Sequence, residues 1–166
     1  DAANVVPAHS AGSFIVRAEE DGYLNELKQK VLNCFIGAAT ATGARLEYKW
    51  DSVRYNPMRN NLTLARLFAR NMKSLGRTVS LSNPEGAFGS TDMGNVSQLV
   101  PSIHPTIAIT RKEISIHTPQ FARVAATDSA ISRILEAAKA VAMTVTDLMS
   151  SRETMDKVKE EFNRVK

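Results

Sequence analysis

Cysteine occurs once in these 166 residues and histidine three times. A single thiol, Cys34, excludes an intrachain disulfide framework, a Cys-rich zinc module and a CxxC redox pair. The imidazoles, His9, His104 and His117, have the wrong spacings for an HExxH helix. A complete His-rich metal site within the chain is therefore not expected. Aromatic residues make up 6%, and Lys and Arg never run four together. The stacking residues and basic stripe of a nucleic-acid groove are thus missing. The formal net charge of +4 reads as a solvated surface. No apolar stretch reaches membrane-spanning length, and no charged start leads into an apolar signal core. A cytoplasmic protein without nucleic-acid or membrane partners is the expectation. Cys34, on an apolar helical face, reads as a small buried hydrophobe in a reducing compartment. The first residue is Asp1 rather than Met, which leaves room for a longer protein.

What is present is ordinary globular material. The chain is 43% hydrophobic and 23% charged, enough for a real core in one domain or two small ones. Residues 13–18 (SFIVRA) alternate as a strand does. Asp21 offers an N-cap, and Leu24, Leu27, Val31, Cys34, Phe35 and Ala38 recur at helical spacing up to Gly43, a natural left-handed stop. Residues 45–50 (RLEYKW) alternate again. Residues 51–61 are polar and turn-rich, with Asn56-Pro57, and mark a domain boundary. A helix comes next through Leu64, Ala65, Phe68, Met72 and Leu75, with Gly76 as its stop. Residues 82–95 hold three Gly and a Pro and read as a loop. Residues 96–100 and 106–109 read as short buried segments, and residues 114–116 as a short strand ending at His117. From Asp128 to Met149, Ile131, Ile134, Leu135, Ala138, Val141, Ala142, Val145 and Leu148 form one helical stripe. A last helix carries Met155, Val158, Phe162 and Val165. The expected fold class is α/β, with helices covering a sheet.

Few residues suggest chemistry by themselves. Glu19, Glu20 and Asp21 precede an amphipathic helix, where negative charge favours the positive end of the dipole. Glu160 and Glu161 read as a solvated face. His117 at a strand end either presents a nitrogen to a metal or is an ordinary partly buried side chain. His104 has the same two readings, and His9 reads as surface. Gly89, Ser90, Thr91 and Asp92 either cradle an anion through backbone N–H groups or form a tight Asx or Ser/Thr turn. Arg17 either grips a carboxylate with its planar fork or makes a strand-edge salt bridge.

Several stretches combine into a resemblance. Asn4-Val5-Val6-Pro7 with Phe14-Ile15-Val16-Arg17-Ala18 is similar to the lid, or dimerisation, strand of the aminoacylase/carboxypeptidase-like zinc metallopeptidases. LNCFIGAATATG at 32–43 resembles the helix after that strand. GSTDMGNVSQLVP at 89–101, SIHP at 102–105, HTPQF at 117–121 and EAAKAVAMT at 136–144 continue the likeness. The branch resembled is that of aminobenzoyl-glutamate hydrolases and β-alanyl-lysine-type dipeptidases.

The resemblance implies that residues 1–55 end a lid domain and residues 56–166 form the C-terminal part of a metal-dependent catalytic domain. It implies hydrolysis of the amide bond of N-acyl amino acids or dipeptides by a homodimer joined through its lids. A metal-bound water, deprotonated by an upstream Glu, would attack the carbonyl. Two Zn2+ per complete subunit are implied, with Mn2+ or Co2+ as alternatives. His117 matches the last metal ligand. Asn4 and Arg17 match the lid pair that holds the substrate carboxylate. Gly89, Ser90, Thr91 and Asp92 match a loop lining the substrate site. The other ligands and the general base would lie upstream of Asp1, so the chain alone is expected to be inactive. A non-catalytic binding or assembly module is the competing expectation.

Overall fold

A computed structural model describes residues 4–18, 20–81, 89–111 and 113–164. Its regular structure is helical: α1 (Asp21–Thr42), α2 (Leu62–Ser74), α3 (Met93–Leu99), α4 (Pro119–Ala125), α5 (Asp128–Ser150) and α6 (Arg152–Arg164). The expected α/β class is wrong for the described residues. Residues 13–18 and 45–50 carry the alternation but form no ladder, and residues 114–116 are bend and turn. The one described β contact is an isolated parallel bridge between Asn60 and Ser102. Alternation shows which side of a strand would be buried; a strand also needs a neighbour for its N–H and C=O groups. Here neither segment has one. Residues 96–100 fail as a buried segment for another reason: most of them belong to α3, and Leu99 is exposed.

The chain divides into two compact units, Asp1–Pro57 and Met58–Lys166. The first is built on α1. Glu20 occupies its N-cap without a side-chain bond, and Asp21 is its first helical residue rather than its cap. Gly43 closes it at φ 71°, as a residue without Cβ can. Leu32 is the buried side chain of α1, whereas Cys34, expected inside, is exposed. Leu24, Leu27, Val31 and Phe35 are half-buried as their spacing favours, and the inward face is that stripe turned toward Leu32 and away from Cys34 and Ala38. Phe14 stacks tilted on Phe35 with centroids 5.0 Å apart. Lys28 lies 4.7 Å from the Trp50 ring, and Arg54 reaches Asp21 at 2.5 Å and Asn25 at 3.3 Å. The chain after Gly43 therefore runs back along α1.

The second unit has the better core. α2 packs on α5 and α6, α5 on α6, and α4 on α5. Phe68, Met72 and Ala140 are its buried centre, with Leu75, Val79, Ile103 and Ile107 around them. Asn61 joins three parts of this unit. Its Oδ1 accepts from Leu64 N at 2.9 Å, its Nδ2 donates to Val158 O at 2.9 Å, and its N–H donates to Ser102 O at 2.9 Å. Two further N–H groups at the start of α2, of Leu62 and Thr63, donate to the Glu161 carboxylate at 2.5 and 2.8 Å. An unpaired helix end is costly, and Asn61 and Glu161 together satisfy this one. Glu161 is thus not the solvated side chain expected from its place on α6. Its neighbour Glu160 does sit at the surface, 3.7 Å from Arg164.

Candidate functional site

The site residues named from the sequence fall in different units. Asn4 and Arg17 belong to the first, both exposed, on non-helical backbone. Arg17 has no ion pair among the described residues, so the salt-bridge reading is not realised there. Its guanidinium is a planar fork of five donors, the shape that suits a planar anion. The segment that presents it is anchored by the Phe14–Phe35 contact three residues earlier.

Gly89, Ser90, Thr91, Asp92 and His117 belong to the second unit. Gly89, Ser90 and Asp92 are exposed and Thr91 is half-buried. Thr91 Oγ1 accepts from Met93 N at 3.3 Å, and Asn95 N donates to Asp92 O at 2.9 Å. These bonds start α3, so the Ser/Thr turn is formed here. The rest of the Gly-rich stretch, residues 82–88, lies outside the described residues.

His117 is exposed and has φ 62°, in the left-handed region. A non-glycine residue there carries a cost on the order of 1 kcal/mol. Thr118 and Pro119 hold it in place. Thr118 Oγ1 donates to Ser115 O at 2.8 Å and accepts from Phe121 N at 3.1 Å, which caps α4. Pro119, with its φ preset for a first helical position, starts that helix. The HTP run is therefore a turn-and-cap device that fixes the backbone at His117, whose side chain is exposed. His104 and His9 are exposed, without comparable framing. Among the described residues no group of three His, Cys, Asp or Glu is placed to hold a metal ion.

Polar groups that the sequence did not single out are the better ordered ones. Asn71 Nδ2 donates to Thr144 Oγ1 at 3.1 Å and to Asp147 Oδ2 at 2.9 Å, and Arg70 reaches the same carboxylate at 3.3 Å. The Asn71 hydrogen bond, with help from Arg70 and against partial burial, holds the Asp147 carboxyl below its ordinary value. Burial pushes Glu161 up, but its bonds from Thr63 and Leu62 and the charge of Arg66 outweigh that and lower it. Arg77 pairs with Glu136 at 2.5 Å. A surface groove of about 350 Å³ is lined by Thr63, Lys157, Glu160, Glu161 and Arg164. It contains none of the site residues named from the sequence. Glu161 is occupied with capping, so the groove is structural in character. Asn61 was legible as Asn before an apolar helical run; the Asn71–Thr144–Asp147 set, spread over two helices, was not.

No family model matches the chain. Its likeness is instead to individual proteins, and the class they define is a dipeptidase: the chain is homologous to part of one. The relatives are the Xaa-Arg dipeptidase of Mus musculus, 34% identical over 161 residues, and that of Homo sapiens, 33% identical over 161 residues. Each match covers 96% of this chain and 37% of the relative. The chain thus spans little more than a third of the length of the relatives it matches. Along that third, the resemblance read from its motifs holds.

Proposed function

We propose that this chain is one part of a metal-dependent amidohydrolase that cleaves the amide bond of dipeptides or N-acyl amino acids. The observation that carries the reading is the match to Xaa-Arg dipeptidases along 96% of the chain. Dipeptides ending in arginine are accordingly the first substrates to try. Residues 1–55 would end a lid domain joining two subunits, and residues 56–166 would belong to the catalytic domain. The division of the chain after Pro57 supports a boundary there. Cleavage requires the rest of the protein, because the described residues hold no metal-binding group of three.

Within that reading each residue has one task. His117 contributes one imidazole to the metal, from a turn fixed by Thr118 and Pro119. Arg17 binds the substrate carboxylate through two parallel N–H donors, and Asn4 adds a neutral donor. Gly89 to Asp92 line the substrate, where a residue without Cβ lets the backbone come close.

In the complete protein, His117→Ala is expected to abolish bound metal and hydrolysis together. Full metal occupancy in that variant would remove His117 from the site. Arg17→Ala is expected to raise KM for carboxylate-bearing substrates with a smaller change in kcat. Equal losses on amides lacking that carboxylate would remove its role. The missing ligand group also favours a second reading for the 166-residue chain alone, that of a non-catalytic assembly module. Stoichiometric zinc retained through dialysis by this exact chain would refute it.

A further inference from the structure

α3 is fastened by a hydroxyl rather than by apolar packing. Among the described residues no other helix packs on it. Seven residues are too few to be a stable helix alone. Val96 and Leu99, its branched apolar side chains, are exposed, Leu99 at 78%. Its buried residues are Gly94, which has no side chain, and Ser97, which is 0% exposed. The Ser97 hydroxyl is used in both its roles. Oγ accepts from Arg59 N at 2.9 Å and donates to Gly94 O at 2.6 Å. A hydroxyl that accepts and donates at once strengthens both bonds. Alanine would suit a helix better, and burying a hydroxyl is costly unless it is bonded. Ser97 therefore fits this place for its bonds and not for its packing.

On one side these bonds reach a firm base. Arg59 stands near the start of the second unit. Its guanidinium donates to Phe162 O and lies 4.2 Å from the centre of the Phe162 ring. Two residues on, Asn61 is bonded to Val158 O and to Ser102 O. Residues 59–61 are thus fastened to α6. On the other side the bonds lead to the Gly-rich loop. Gly94, whose carbonyl accepts from Ser97, donates its own N–H to Thr91 O at 3.2 Å. Met93 N donates to Thr91 Oγ1, and Asn95 N to Asp92 O. The bridge at Ser102 is a second tie, but it lies beyond the C-terminal end of α3. Ser97 is the tie within the helix, one turn from Gly94.

We propose that Ser97 is the positioning residue of the substrate loop: it fastens α3 to residues 59–61 and so fixes where residues 89–92 stand. The proposal rests on reading those four residues as substrate lining. Ser97 itself is buried and acts on substrate only through the placement of Thr91 and Asp92.

The test is Ser97→Ala in the complete protein, with Thr144→Ala as the control. The Thr144 hydroxyl is also buried and bonded, to Ala140 O and Asn71, but in the joint of α5 with α2, on which α3 does not pack. In Ser97→Ala, KM for dipeptides ending in arginine is expected to rise roughly tenfold, with kcat within about twofold. Hydrogen exchange should speed up roughly tenfold in peptides covering residues 89–96 and stay unchanged in α5 and α6. Thr144→Ala should lower the melting midpoint by as much and leave KM unchanged. Should Ser97→Ala not fold, Ser97→Cys, whose thiol bonds weakly in the same place, should give a smaller rise in KM. Three results would overturn the positioning role: an unchanged KM in a folded variant, an equal rise of KM in Thr144→Ala, or exchange that speeds up equally in α5 and α6. A complete protein without hydrolysis removes the functional reading; the fastening at Ser97 then stands or falls on the exchange of residues 89–96.

Discussion

The two units use helices differently. In the first, a 22-residue helix buries one side chain, Leu32, and is otherwise accompanied by extended chain held through Phe35, Lys28 and Asp21. In the second, a 13-residue helix, α2, buries Leu67, Phe68, Asn71 and Met72 and has partners for its N-terminal N–H groups. Length is therefore not what secures a helix here. Isolated helices are marginal in water, and packing of one face supplies most of their stability. α2 has partners for that face in α5 and α6; α1 has only single side chains.

The sharpest way to break this contrast is to empty both helices. Phe68→Ala should cost about 3–4 kcal/mol in urea unfolding followed by helicity. Leu32→Ala should cost less, about 2 kcal/mol, because α1 has one buried side chain against four on α2. Equal losses would show that the first unit has a core of its own. Next in size is Asn61→Ala, which removes a cap from α2 and the bond to Val158 O; about 2 kcal/mol is expected. A loss confined to a few tenths would mean that Glu161 suffices for that helix end.

Glu161→Gln is expected to cost about 1 kcal/mol near neutral pH. Its sign with pH is fixed by the lowered carboxyl. The folded value lies below the ordinary 4.5, so the contribution is complete above that pH and is lost as pH falls through the folded value. Asp147, lowered from 3.8, acts in the same sense at more acid pH. The variant should therefore show a shallower acid transition than the native chain, and parallel curves would deny the carboxylate its part. The smallest effect belongs to a turn outside either core. His117→Gly should raise stability by about 0.5 kcal/mol, because glycine adopts φ 62° without strain. A loss there would mean that the imidazole makes stabilising contacts.

Four of the helices were legible in the sequence, since α1, α2, α5 and α6 each carry apolar residues at spacings of three and four. α3 and α4 are seven residues each, too short for that period to register, although Thr118-Pro119 is a recognisable helix start. The expected strands failed because pairing is a property of two segments and alternation a property of one. α5 shows the same limit on a helix. Its spacing marks the stripe that favours burial, but whether anything covers that stripe depends on residues elsewhere. For the candidate site, the HTP turn was visible as a motif and its left-handed backbone was not. Spacing alone likewise gave no sign that Glu161 would leave the polar side of α6 to cap another helix.

That cap has a consequence in time. Leu62 and the Glu161 that receives its N–H are 99 residues apart. A ribosome adding about 5–20 residues per second takes roughly 5–20 s to cover the interval. Through it, nascent α2 has Asn61 at its start but neither the carboxylate nor α5 and α6 behind it. Docking of the second unit must wait for the last helix to emerge, and a stall between the two would leave Phe68 and Met72 open to chaperones.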